Sequence, residues 1–179
     1  METRNIIDHY HYWTHEAILA DLDAKRHNFS VLCSNLHNDF NIATVIRNAN
    51  AFLAKRVILY GSKQYDRRGT VGTHNYTRFI HAKTLEDLKA TLQNLDDEHR
   101  GITLVGIDNI HNSYPIESYE WRKDTHYVLA LGQEQLGLPD EVKRMCDKYL
   151  YIKQYGSVRS LNVGTASGIA MYSLVSNVY

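Results

Sequence analysis

Polar side chains crowd into one short loop near the end of the chain. Within six residues, directly before an apolar stretch with helical periodicity, stand four hydrogen-bonding groups: Ser157, Arg159, Ser160 and Asn162. A helix that begins here needs only one of them as its N-cap, and Ser160 is the candidate. Because capping leaves the other three unexplained, this loop is a candidate ligand-binding site.

A second candidate is an arginine in an apolar helical pattern. Arg47 stands six residues after Asn41, among apolar residues that include Val45 and Ile46. An arginine in that setting needs a partner such as a carboxylate or a phosphate. Asn41 stands where the helix should begin, and an asparagine cap is common there. Arg47 is therefore the stronger indication of a binding site.

A third candidate is a glycine turn. Gly132 and Gly137 enclose Gln-Glu-Gln-Leu, a spacing that mimics half of a phosphate-binding loop. Leu138 and Pro139 replace the lysine and Ser/Thr that such a loop requires, which excludes a Walker A site. The Gly-x-Gly-x-x-Gly fingerprint of dinucleotide-binding proteins is also missing. What remains is a turn that lets the backbone come close to a ligand, with Glu134 beside it.

The three candidate loops each leave a strand in an alternating strand–helix pattern. Apolar runs predict strands at residues 29–33, 57–60, 77–82, 102–107, 127–131 and 149–152. Helical periodicity predicts helices at 3–25, 41–53, 84–95, from 139 onward and at 161–178, the last of them buried on most sides. This alternation predicts an α/β fold with a mainly parallel sheet flanked by helices. Such sheets bind ligands beyond the carboxyl ends of their strands.

Length and composition are those of one globular domain. Of 179 residues, 44% are hydrophobic and 22% are charged, so a disordered chain is excluded. No apolar run approaches the ~18–20 residues of a membrane helix and no signal-peptide pattern opens the chain, so we expect no membrane partner and a cytoplasmic location. Two cysteines are too few for a disulfide framework, and His11 and His15 lack a third ligand, so we expect no metal.

Charge is unevenly distributed along a chain whose net charge is zero. Residues 41–83 carry eight basic residues and one acid, a formal charge of +7. This asymmetry predicts a basic face for an anionic partner such as nucleic acid, and solvated surface charge is the alternative. Residues 69–72 resemble a Gly-x-x-Gly nucleic-acid clamp. The predicted RNA contacts are four arginines: Arg67, Arg68, Arg78 and Arg159.

In this order and spacing, the three loops resemble the motifs of the SpoU-type RNA ribose 2′-O-methyltransferases of the SPOUT superfamily. Residues 41–47 resemble the motif Asn-x-Gly-x-x-x-Arg, and residues 132–138 resemble Gly-x-Glu-x-x-Gly-Leu. Residues 152–163 resemble Ile-Pro-x-x-Gly-x-x-x-Ser-Leu-Asn-Val. The resemblance spans about residues 29–178, so we divide the chain into an N-terminal helical segment (1–28) and a methyltransferase domain (29–179).

The resemblance implies a fold, a cofactor and a set of site residues. The fold would contain a trefoil knot, an otherwise rare topology, and the protein would be a homodimer. The cofactor would be S-adenosylmethionine, bound largely through backbone groups by Ile107, Leu131, Gly132, Ile152 and Leu161. The catalytic group would consist of Arg47, Asn41, Glu134, Ser160 and Asn162.

Methyl transfer to a ribose hydroxyl needs an aligned nucleophile and removal of its proton, and it requires neither a metal nor a redox cofactor. The resemblance implies that Arg47 is the general base. A guanidinium with a pKa above about 12 rarely gives up its proton, so Arg47 could instead grip a phosphate and stabilise a developing alkoxide.

We therefore expect a methyltransferase that acts on RNA. Residues 159–163 (Arg-Ser-Leu-Asn-Val) and the compact size resemble tRNA-guanosine members of the family, which favours tRNA over rRNA. Two alternatives stay open. One is a non-catalytic RNA-binding module that kept the fold, against which the complete set of motif side chains argues. The other is a flavodoxin-like nucleotide-binding protein, although no phosphate loop is present.

Overall fold

A parallel sheet forms the centre of the molecule. The computed structural model describes residues 6–35, 41–110, 112–133, 137–158 and 160–179. Within these residues the strands are β1 (His27–Asn35), β2 (Ala54–Gly61), β3 (Phe79–Ala82), β4 (Ile102–Ile107), β5 (Tyr114–Pro115), β6 (His126–Leu131) and β7 (Lys148–Tyr151). Their order is β3-β2-β1-β6-β4-β7-β5 and every pairing is parallel. The predicted α/β class is confirmed. The two-residue strand β5 was not predicted, because it is too short to leave a periodic signal.

The described part of the chain contains five α-helices: α1 (His15–Lys25), α2 (Ile42–Ala51), α3 (Leu85–His99), α4 (Asp140–Met145) and α5 (Val163–Val178). Helices α2, α3 and α4 connect strands, whereas α1 precedes β1 and α5 follows β7. The predicted helix at 3–25 is wrong in its first half. A 3₁₀ turn occupies Asp8–Tyr10, and α1 begins only at His15, where Thr14 Oγ1 accepts a hydrogen bond from Ala17 N at 3.2 Å. None of the five helices is long and apolar enough to cross a membrane.

The helices cover both faces of the sheet, so the core has two halves. Alternate residues of β1 point to opposite faces, as the period of a strand requires. Phe29 and Val31 pack with α2 and α5 on one side, and Leu32 packs with α3 and α4 on the other. Helix α1 packs outside this sandwich, through Ile18 against Tyr76.

Helix α5 is buried along one stripe rather than on most sides, which corrects the expectation from its composition. The buried residues are Gly164, Ser167, Ala170, Met171 and Leu174, whereas Tyr172 is 63% exposed. Small residues in the stripe let α5 approach α2 closely. A Cβ atom at Gly164 would lie 2.7 Å from Thr44 Cγ2, and Asn48 Nδ2 donates to Gly164 O at 2.9 Å.

A buried polar cluster lies where β1 and β6 begin. We call the edge of the sheet at which the parallel strands begin the amino edge, and the edge at which they end the carboxyl edge. His126 is held on both ring nitrogens, with Ser30 Oγ at 2.9 Å from Nε2 and Asn28 Oδ1 at 2.8 Å from Nδ1. Its ring stacks on His99 with a centroid separation of 3.8 Å. Burial, reinforced by the nearby His99, Lys55 and Arg56, lowers the pKa of His126 to about 3.

This low pKa predicts a pH-dependent stability. In the unfolded chain a histidine has a pKa of about 6.5, so between that pH and about 3 the unfolded state binds one more proton than the folded state. The free energy of unfolding should therefore decrease as the pH falls below 6.5. Between pH 7 and pH 5.5 the loss from His126 is about 1 kcal/mol. Over this interval, the free energy of unfolding of His126→Gln, measured by urea titration, should therefore decrease by about 1 kcal/mol less than that of the wild type.

The matched control is His11→Gln, at an exposed histidine. It should show the pH dependence of the wild type. If the pH dependence of His126→Gln were the same as well, His126 would have to protonate normally in the folded protein.

Candidate functional site

The carboxyl ends of β4, β6 and β7 open into a cavity of about 400 Å³. Because neighbouring strands of a parallel sheet end at the same edge, residues far apart in sequence meet there. Four of the predicted cofactor residues line the cavity: Ile107, Gly132, Ile152 and Leu161. The fifth, Leu131, does not line it, because its side chain is buried in the core. The volume is in the usual range for small-molecule sites.

Gly132 lines the cavity and is also required by the glycine turn itself. Gln133 N donates to Gly137 O at 2.8 Å, and Gly137 N donates to Gln133 O at 2.9 Å. A Cβ atom at Gly132 would lie 2.3 Å from Gly137 C and 2.4 Å from Leu138 N. The close approach that requires glycine is therefore between the two arms of the loop. Glu134, predicted as a catalytic residue, and Arg159, predicted as an RNA contact, lie outside the described residues.

Asn162 links the cavity wall to helix α2. It is the N-cap of α5, where its Oδ1 accepts from Thr165 N at 3.2 Å, and its Nδ2 donates to Asn41 Oδ1 at 2.8 Å. Ser160, the predicted cap, is exposed and lines the cavity instead. Asn41 occupies the N-cap position of α2 without a side-chain cap bond. Two predicted catalytic residues are thus in direct contact although 121 positions separate them.

Arg47 lies on the exposed side of α2. Its neighbour Asn48 faces α5, where it donates to Ser167 Oγ at 2.9 Å, so the helix turns Arg47 away from the core. The expectation that Arg47 needs a partner within an apolar setting is therefore wrong, because an exposed guanidinium is hydrated. Arg47 does not line the cavity beside β4, β6 and β7. It is available to a ligand that approaches α2 from solvent.

The basic stretch does not form one face. Arg67 and Arg68 lie in a 3₁₀ turn after β2. This turn packs closely on α2, because a Cβ atom added at Gly69 would lie 2.7 Å from the Cβ atom of Ala43. Arg68 also pairs with Asp66, which lowers the pKa of that carboxyl group to about 2. Arg78 directly precedes β3 and therefore lies at the amino edge, where it pairs with Asp23. The predicted single RNA face is thus corrected to two basic surfaces at opposite edges of the sheet.

Sequence reasoning missed several polar residues that line the cavity, among them Asp108, Lys143 and Gln154. Asp108 directly follows β4, so its position at a strand's carboxyl end was a usable signal. Gln154 stands three residues after β7 and carries the same signal, whereas Lys143 lies on α4 and carries none. Gln154 Oε1 is buried and accepts no hydrogen bond from the described residues. A buried acceptor without a donor is costly, which makes it a candidate contact for a bound ligand. The described residues contain no group of three potential metal ligands.

Comparison with known proteins relates most of this chain to one family. The family model described as SpoU rRNA Methylase matches residues 28–172. A tRNA (guanosine(18)-2′-O)-methyltransferase from Aquifex aeolicus is 28% identical over 156 residues, which cover 84% of this chain and 70% of that protein. A 23S rRNA (guanosine-2′-O-)-methyltransferase from Acinetobacter baylyi is 28% identical over 141 residues, which cover 74% of this chain and 53% of that protein.

Solved structures share the fold. The SpoU methyltransferase AviRb from Streptomyces viridochromogenes, in complex with AdoMet, superposes with a TM-score of 0.74 at 25% identity. That match covers 84% of this chain and 58% of AviRb. The TrmH/SpoU tRNA modifying enzyme of A. aeolicus gives a TM-score of 0.74 at 24% identity and covers 91% of this chain. This chain thus spans little more than half of AviRb and of the Acinetobacter protein.

The glycine turn allows a test with a matched control. In Gly132→Ala the added methyl group collides with the backbone of Gly137, so the turn must open at an expected cost of about 1–3 kcal/mol in stability. We expect the affinity for S-adenosylmethionine, measured by calorimetry, to fall roughly tenfold or more. In Gly156→Ala the Cβ atom meets nothing within 4 Å, so stability and affinity should stay unchanged. Wild-type affinity in folded Gly132→Ala would show that the cofactor does not depend on this turn.

Proposed function

Because the chain belongs to the SpoU rRNA methylase family, we propose that it transfers a methyl group from S-adenosylmethionine to a ribose 2′-hydroxyl of RNA. One observation carries the proposal. Leu161 lines the cavity, and the next residue, Asn162, contacts Asn41 at the start of α2. A single loop therefore joins the candidate cofactor site to the helix that bears Arg47. A reaction between a bound cofactor and a large substrate needs this kind of connection, since alignment alone can contribute ~7–11 kcal/mol.

The residues of the cavity fit the chemistry of S-adenosylmethionine. Ile107, Ile152 and Leu161 offer an apolar surface for adenine. The Asp108 carboxylate suits the cofactor's ammonium group or ribose hydroxyls, and the Lys143 ammonium suits its carboxylate. The unfilled acceptor Gln154 Oε1 can receive a hydrogen bond from an amino group. When bound, the cofactor supplies an activated methyl group on a sulfonium centre.

Arg47 is assigned to the RNA. Its exposed position on α2 is accessible to a polynucleotide, and a guanidinium presents a planar fork of donors that matches a phosphate. It would hold a phosphate by two parallel hydrogen bonds and stabilise the negative charge that develops on the attacking oxygen. Glu134 and Ser160 would orient the ribose. Asn41 and Asn162 would act as positioning residues, because their amides are engaged with each other.

We propose tRNA rather than rRNA as the substrate. Support comes from the lengths of the matched regions. This chain matches 70% of the Aquifex tRNA methyltransferase and 53% of the Acinetobacter 23S rRNA enzyme, at 28% identity in both cases. Incubation of total tRNA and of 23S rRNA with labelled S-adenosylmethionine distinguishes the two. Label in rRNA alone would contradict the assignment.

We also propose a homodimer that works in the cytoplasm, where the trefoil knot implied by the family would form part of each subunit. Support for association comes from large side chains left in solvent by the isolated chain: Tyr155 is 87% exposed, Val158 62% and Tyr172 63%. Aromatic side chains are enriched at protein–protein interfaces.

Substitution of Arg47 separates catalysis from cofactor binding. Arg47→Ala should reduce methyl transfer at least ~100-fold, the scale for removal of a general base or one preorganised charge. Its affinity for S-adenosylmethionine should stay within about threefold of wild type, because Arg47 does not line the cavity. Single-turnover rates and calorimetry measure the two effects.

Arg122→Ala is the control, because Arg122 is exposed and lies before β6, at the other end of the sheet. It should keep both properties. Near-normal turnover in Arg47→Ala would contradict the catalytic assignment. Cofactor binding without transfer to any RNA by the wild type would instead favour the non-catalytic RNA-binding alternative.

A further inference from the structure

A second cavity, of about 380 Å³, lies at the amino edge of the sheet. We call it the amino-edge cleft. Its cationic lining residues come from α1's C-terminus and from the starts of adjacent strands: Arg26, Lys55, Arg56 and Arg78. Arg78 O accepts a hydrogen bond from Val57 N at 2.8 Å, so Arg56 and Arg78 stand side by side on paired chains. Parallel strands begin at one edge, which is why these charges collect there.

The carboxylates near the cleft do not neutralise its cations. Asp23 is shared by Arg26 and Arg78, and Glu98 is shared by Lys55 and Arg56. These contacts hold the pKa values of both carboxyl groups below their usual range, so both are charged at neutral pH. Four cations thus face two anions, which leaves the cleft with a net positive charge of two.

The four cations differ in what they can still bind. Arg26 is shielded from an incoming anion, because its side chain is only 4% exposed. Its Nε donates to Asp23, and its two terminal nitrogens donate to Ala54 O at 3.2 Å and to Tyr76 O at 2.9 Å. Arg78 and Lys55 reach solvent, with side chains 53% and 33% exposed. These two have donors left for an anion.

An aromatic side chain completes the cleft. Phe79 lines it directly after Arg78 and is 36% exposed, unusual for a phenylalanine. A cation pair beside an accessible ring matches a nucleotide, since phosphate binds to cations and the base stacks on an aromatic face. The volume is sufficient for a unit of that size.

We propose that the amino-edge cleft binds a nucleotide of the substrate RNA away from the reaction site, with its phosphate on Arg78 and Lys55 and its base on Phe79. This inference rests on the proposed function, because it takes RNA as the ligand. The strand β2 has eight residues, so the cleft and the carboxyl edge are roughly 23 Å apart at ~3.3 Å per residue. Only an RNA that extends across the sheet can occupy both, so a short hairpin cannot use the cleft while it is at the reaction site.

The test compares Arg78→Gln and Phe79→Leu with Lys89→Gln, which removes one positive charge from an exposed position of α3. The probes are unfractionated bacterial tRNA and a hairpin of about eight nucleotides, with affinity measured by fluorescence anisotropy over a series of KCl concentrations. Arg78→Gln should weaken tRNA binding about three- to tenfold and reduce the slope of log affinity against log salt by about 0.7–0.9. Phe79→Leu should weaken tRNA binding about fivefold without changing the slope. Hairpin binding and the affinity for S-adenosylmethionine should stay unchanged.

Thermal melts confirm that each variant is folded, and Lys55→Gln provides a second removal of charge that leaves Asp23 paired. Equal effects on tRNA and hairpin, or an effect of Lys89→Gln as large as that of Arg78→Gln, would overturn the proposal.

Methyl transfer to tRNA by the wild type is measured in parallel. Transfer with no variant effect overturns the cleft alone, and variant effects without transfer to any RNA overturn the proposed function alone. A wild type that binds no RNA overturns both.

Discussion

The hydrogen bond between Asn162 Nδ2 and Asn41 Oδ1, at 2.8 Å, is the contact on which the arrangement of the site depends. It closes the N-terminal turn of α5 onto the N-terminal turn of α2. The same asparagine caps α5, so one side chain fixes both the start of a helix and its partner. Leu161, which directly precedes Asn162, lies in the cavity wall. A displacement of Asn162 would therefore move both the candidate cofactor site and the helix that bears Arg47.

Close packing of α2 against α5 makes this contact possible. Gly164 leaves room for Thr44, and Asn48 satisfies the Gly164 carbonyl and the Ser167 hydroxyl across the helix interface. A larger residue at 164 would separate the helices and break the asparagine pair. The parallel sheet adds a second constraint, because it gathers strand ends at one edge and strand starts at the other. The carboxyl edge receives the cavity, and the amino edge receives the cleft lined by Lys55 and Arg78.

Local sequence signals predicted the elements well where the physics is local. The helical pattern predicted from residue 84 is α3, which the structure shows to begin with a capping box of Thr84 and Asp87, and the apolar run at 102–107 is β4 without adjustment. Four of the five cofactor positions that the family resemblance implies line the cavity. The failures arise where tertiary structure decides. Arg47 has apolar neighbours in sequence, yet helical geometry turns it outward. The stretch 41–83 looks like one basic face, yet β2 carries its charges to both edges. The choice of Asn162 over Ser160 as the cap depends on a contact with Asn41 in α2, and no pattern local to residues 157–163 shows that contact. The knot and the dimer rest on the family resemblance and stay predictions.

The central claim is that the Asn41–Asn162 contact couples the candidate cofactor site to the helix that bears Arg47, and a double-mutant cycle on methyl transfer tests it most directly. Asn162→Ser keeps an oxygen that can cap α5 but is too short to reach Asn41, and Asn41→Ala removes the other partner. If the contact matters, the double variant should transfer methyl groups no more slowly than the worse single variant. That result corresponds to a coupling energy of about 1 kcal/mol or more. Strictly additive losses, with all variants folded and binding S-adenosylmethionine as the wild type does, would contradict the account.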